Sequence, residues 1–137
     1  MRLNTPKGFA YLQYVGRHPE YGDAVMVCPR LGERLNGQTL SDGYVVFYPV
    51  TAAMALRLVE VVDHFTPPKL PQRLRRPGAR SGLRVDTWVV EDGTGETVKS
   101  KLSEDDLQLP IAVIWNHELL IQRLLEGWNP LHEGREA

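Results

Sequence analysis

Apolar and aromatic residues fill every position from Phe9 to Val15 except Gln13, and Gly16 follows them. A run of that density predicts a strand buried on most of both faces and stopped at the glycine. Gly22-Asp23 opens a second run, "AVMVCP", which holds β-branched residues and closes on Pro29, so a second strand is predicted. The intervening "GRHPEYG" has glycine at each end and proline inside, which is turn composition. Arg30 to Gly43 is polar and punctuated by glycine, a loop with room for one weak strand. "YVVFYPV", Tyr44 to Val50, is the densest strand signal in the chain, because it joins aromatic and β-branched residues over a usual strand length.

The period then changes. Thr51 is placed to cap a short helix through Met54 to Arg57, and "LVEVVDHF" after it alternates like a strand. Thr66 to Pro77 carries prolines at 67, 68, 71 and 77, which predicts an extended surface segment without regular structure. "VDTWVVED" and "ETVKSKL" flank "DGTG", the pattern of a hairpin, so Leu83 to Leu102 reads as two paired strands. Ser103 followed by Glu104, Asp105 and Asp106 puts a hydroxyl at a helix start with carboxylates in the first turn, where the peptide dipoles favour them. Asn116 is placed to cap the last helix, "HELLIQRLLEGW". There Leu120, Leu124 and Trp128 share a face with Ile121 and Leu125, while Glu118, Gln122 and Glu126 face water. Gly127 supplies a left-handed stop and Pro130 prevents continuation.

Five or six short strands with short connections and two or three helices predict an α+β protein: a small, curved, mostly antiparallel sheet or partly open barrel, with the C-terminal amphipathic helix laid against it. The length of 137 residues predicts one domain, 1–137, with a Pro/Arg-rich surface loop at 66–82 and a polar tail at 129–137. A net charge of −1 gives no global pull toward nucleic acid or an anionic membrane, so any electrostatic partner must be met by a local patch. A single cysteine, Cys28, excludes an internal disulfide framework and a multi-cysteine zinc site. With no signal-peptide pattern and no membrane-length apolar run, the expected place is the cytoplasm, away from membranes.

Four motifs bear on chemistry. His18, Glu20 and Asp23 crowd the first hairpin beside Arg17, but acid/base catalysis and metal binding need groups converging from fixed elements, and a hairpin tip does not supply that. The turn reading is preferred, with Pro19 fixing the backbone and Asp23 bonding nearby amides. "DGTGETV" lacks the third glycine of a dinucleotide loop and is flanked by strands on both sides. "NHELL" has Ile121 where a zinc protease places its second histidine, and "ARSGL" around Ser81 lacks the first glycine of a nucleophile elbow. No catalytic residue, metal ligand or cofactor is therefore assigned.

One asymmetry remains. "KLPQRLRRPGARSGLR" holds Lys69, Arg73, Arg75, Arg76, Arg80 and Arg84 with no acid among them. As an exposed basic arm it could track phosphates. The competing reading pairs these arginines with the acid-rich stretch Asp86 to Asp106, which has seven acids against two lysines. An acidic protein partner fits the run equally well.

Three pieces, "GFAYLQYVGRHPEYGDAVMV", "YVVFYPV" followed by "LVEVV", and "LPIAVIWNHELLIQRLLEGW", resemble a group of small bacterial proteins distantly similar to the immunity protein 26 family, which neutralises contact-delivered toxins. The resemblance implies a cytoplasmic, cofactor-free protein that binds another protein, and it carries over no functional residue. The expected function is thus non-enzymatic macromolecule binding, with a small nucleic-acid-binding domain and a hydrolase as alternatives.

Overall fold

The computed structural model describes residues 1–32, 43–64, 66–83 and 86–133. The chain is α+β and forms two compact units, Met1–Leu70 with Ile114–Trp128, and Pro71–Val113 with Asn129–Ala137. Each has its own antiparallel sheet. The loop expected over Arg30 to Gly43 lies mostly outside the described residues.

In the first unit, β1 (Arg2–Thr5) turns through Pro6-Lys7 into β2 (Gly8–His18), which pairs with β3 (Gly22–Cys28), and that in turn with β4 (Tyr44–Phe47). A two-residue strand, β5 (Val59–Glu60), closes the other side of β1, giving the order β4-β3-β2-β1-β5 in an open sheet. β1 was not foreseen, because Leu3 is its one buried apolar residue and its pairing with Ala10 and Val59 is what makes it a strand.

Nor does Gly16 stop β2: the register slips between Tyr14 and Gly16, and this bulge carries the strand on to His18. The expectation of burial on both faces is also corrected. Register puts Leu3, Ala10, Leu12, Val25, Val27, Tyr44, Val46 and Val59 on one buried face, whereas Phe9 on the other is 43% exposed.

Tyr44 extends that core to the rings of Trp128 (5.2 Å) and Trp115 (6.5 Å). These tryptophans flank the long helix, His117–Glu126, which begins at Asn116, whose side chain accepts from the Leu119 amide at 2.8 Å, and ends at left-handed Gly127. Its Leu120 and Leu124 are buried, each burial contributing roughly 2 kcal/mol.

The short helix α1 (Val50–Ala55) begins at Pro49 without a side-chain cap, so Thr51 lies inside it and is exposed instead of capping it. Amides of Arg57 and Leu58 close its end on the carbonyls of Met54 and Ala53, a Schellman turn that holds Arg57 at φ 58°. Among the described residues of "LVEVVDHF", Val59–Glu60 is strand, and Val61 and Val62 are exposed.

The second unit is a meander, β6 (Leu74–Pro77), β7 (Trp88–Glu91) and β8 (Glu96–Lys99). The β7–β8 hairpin matches its sequence signal: Asp92 Oδ1 accepts from the amides of Thr94 and Gly95 (2.9 and 3.0 Å), and Gly93 takes a positive φ. β6 corrects the expectation of an irregular surface loop. Its prolines fall at or before the strand ends, where no ladder amide is lost, and Leu74 and Arg75 are buried. Helix α2 (Glu104–Leu107) starts with a capping box in which Ser103 and Asp106 satisfy each other's amides (3.1 Å each). Val90, Leu102 and Leu107 form the core with Trp88, Leu109 and Leu131 around them. Leu131 belongs to a 3-10 turn, Pro130–His132, so the expected polar tail is partly packed structure. The long helix of the first unit is α3 below.

Candidate functional site

The first hairpin resolves as a turn. His18 is the last residue of β2, and its Nδ1 accepts from the amides of Glu20 (3.1 Å) and Tyr21 (3.2 Å), which puts the ring hydrogen on Nε2. The ring packs against Tyr21 and Phe47 at 5.1 and 5.6 Å. Glu20 is exposed, while Asp23 on β3 accepts from the Tyr14 hydroxyl (3.3 Å) and pairs with Arg17 at 3.5 Å. The three residues therefore serve different partners. Among the described residues no group of three His, Cys, Asp or Glu side chains is placed to hold a metal ion.

The basic run is divided by the sheet alternation of β6. Arg76 points to one side and pairs with Glu91 and with Glu96 (2.8 Å). Arg73 pairs with Asp106 at 3.3 Å, and Arg80 donates to the Ala112 carbonyl at 2.7 Å. Lys69 is exposed, and Arg84 lies outside the described residues. Two arginines thus meet the acid-rich stretch, as the competing sequence reading expected.

Arg75 is fully buried, which corrects its place in an exposed basic arm. Its guanidinium donates to the carbonyls of Pro130 (2.6 Å), Glu133 (2.8 Å), Leu107 (3.3 Å) and Leu109 (3.4 Å), and its Cζ sits 4.5 Å from the Trp88 ring centroid. Burial lowers its pKa, opposed by the charges of Glu133 and Asp106. Arg75 is a tie between segments rather than a ligand for phosphate.

Asp106 is the second buried charge. Burial opposes its ionisation, but Lys99 Nζ at 2.7 Å, the Ser103 amide and hydroxyl, and the Lys99 charge hold its pKa down at about 2. Its oxygens are spent on Arg73, Lys99 and Ser103. Cys28 is fully buried, and its thiol is pushed up to about 11 by burial.

A shallow surface feature lies on α3. His117, Glu118, Ile121, Gln122, Leu125 and Glu126 line a shallow depression along the flank of the helix. Ile121 and Leu125 are half-buried, and Glu118, Gln122 and Glu126 are exposed. At the helix start, His117 Nδ1 lies 2.8 Å from the Tyr48 hydroxyl. Burial lowers the pKa of His117 and raises that of Tyr48 to about 12, so both are neutral near pH 7, and the imidazole tautomer decides which of the two donates the hydrogen bond. Sequence reading assigned Ile121 and Leu125 to the core face. The signal for their partial exposure was the width of the apolar stripe, which spans more of the helix than Leu120, Leu124 and Trp128 alone require.

No described helix is long and apolar enough to cross a membrane. Compared with protein-family models, curated proteins and solved structures, the chain matches none of them.

Proposed function

We propose that this chain is a non-enzymatic, cytoplasmic protein that works by binding another protein, in the manner of a toxin-immunity protein, and needs no cofactor. The observation that carries this reading is the α3 flank, where Ile121 and Leu125 present apolar surface between the exposed carboxylates of Glu118 and Glu126. An i, i+4 apolar pair with like charges on its rim suits a partner that brings an apolar anchor surrounded by basic residues. The engagement of Arg73, Arg75, Arg76 and Arg80 within the chain supports protein over nucleic acid as the partner.

The test is site-specific photo-crosslinking from Gln122 in host cells, followed by calorimetry of the purified pair. A single basic partner, bound at least tenfold more weakly by Leu125→Asp, is the expected result. Binding of labelled DNA or RNA at low salt, stoichiometric bound metal or hydrolytic turnover, with no crosslink from position 122, would overturn the reading.

A further inference from the structure

β5 ends the five-stranded sheet, and among the described residues only its β1 side carries a strand. Exposed edges of this kind are normally protected by charge or proline. Here the chain on either side of β5 exposes, among the charges of Arg57, Glu60 and Asp63, the apolar residues Leu56 (71%), Met54 (45%), Val61 (50%) and Val62 (41%). Exposed apolar residues beside an unpaired strand edge favour another strand as the occupant.

The charges indicate whose strand it is. Arg57 and Asp63 stand at equal distances either side of Glu60 in the sequence. We propose that two copies of this chain pair antiparallel along β5 about a two-fold axis at Glu60, bringing Arg57 of each copy to Asp63 of the other. The same register sets Leu58 against Val62 and Val59 against Val61. The two Glu60 side chains meet near the axis, each already ion-paired with the Arg2 of its own copy. Shifting the axis to fall between Glu60 and Val61 would set Leu58 against Asp63 and Arg57 against His64, losing both ion pairs, so charge favours the axis at Glu60 over this neighbouring register. An isologous contact of this kind closes after two copies and joins two open sheets into one.

Arg57 sits one residue before Leu58, in the left-handed turn that ends α1. That backbone fixes where its side chain starts, and its length lets it reach across the axis. A glycine would suit the turn better, so the arginine is held there against local preference. This pairing uses a different face from the α3 flank and does not depend on it.

Sedimentation velocity on the purified chain, from low micromolar to several hundred micromolar, reads the association directly. The expected result is a monomer–dimer equilibrium abolished by Val61→Asp. Arg57→Asp or Asp63→Arg alone should each weaken it at least tenfold, because each change turns two symmetric ion pairs into like-charge contacts, and the double variant R57D/D63R should restore it. Aspartate tolerates the left-handed turn at least as well as arginine, and thermal melts of each variant separate unfolding from lost pairing. A wild-type chain that stays monomeric throughout would overturn the proposal. A dimer indifferent to Val61→Asp, or a double variant as weak as the single ones, would do so too.

Discussion

The Arg75 guanidinium carbon lies over the Trp88 ring, 4.5 Å from its centroid, while its N–H groups reach four backbone carbonyls. One side chain thereby satisfies the end of α2, the segment after it and the final 3-10 turn, and its cost of burial is offset by multiple charge-assisted bonds. Replacement by methionine leaves those carbonyls without their donor, so a loss of roughly 3 kcal/mol or more is expected. Lysine should recover only part, since it lacks the planar fork. Hydrogen exchange at the amides of β6 and β7 measures this. Unchanged protection in R75M would refute the role.

Asp106 makes stability depend on acid. Its folded pKa of about 2 lies below the ordinary value of about 3.9, so its contribution is fully present above about pH 4 and is lost as pH falls through the folded value. Asp106→Asn keeps an acceptor for the Ser103 amide but loses the charge facing Lys99 and Arg73, so it should lower stability at neutral pH by roughly 1–2 kcal/mol and flatten the acid limb of the stability profile. Urea titrations at a series of pH values check both effects.

His117 gives a second, milder dependence. Its folded pKa is lowered, so protonation favours the unfolded chain, and its contribution is present above about pH 6.5 and falls as pH drops through the lower folded value. Tyr48→Phe removes the hydrogen bond between the phenol and His117 Nδ1 and should cost about 1 kcal/mol at pH 7. His117→Gln should remove the stability slope just below pH 6.5. NMR titration of the imidazole carbons tests the direction of the shift.

Arg57 occupies a left-handed position that costs a non-glycine residue free energy. Arg57→Gly should therefore raise the monomer's stability by up to about 1 kcal/mol while weakening self-association. Opposite signs in thermal melts and in sedimentation are the expected outcome.

Local interactions made much of the fold readable. The Asp92 turn, the Ser103–Asp106 capping box, and the Asn116 start and Gly127 stop of α3 each involve atoms close along the chain, so residue type and spacing suffice to place them. The same locality made the His18 hairpin legible as a turn, since its bonds run to Glu20 and Tyr21.

What the amino-acid order determined by itself was the class, the stronger strands, the hairpins and the capped terminal helix. Tertiary structure alone decided that Leu3 lies in a strand, that a bulge carries β2 past Gly16, and that Arg75 is buried while Arg76 pairs with Glu91. The physical reason is that such outcomes depend on partners far away in sequence: Val59 across β1, and carbonyls at 107, 109, 130 and 133 around a single guanidinium.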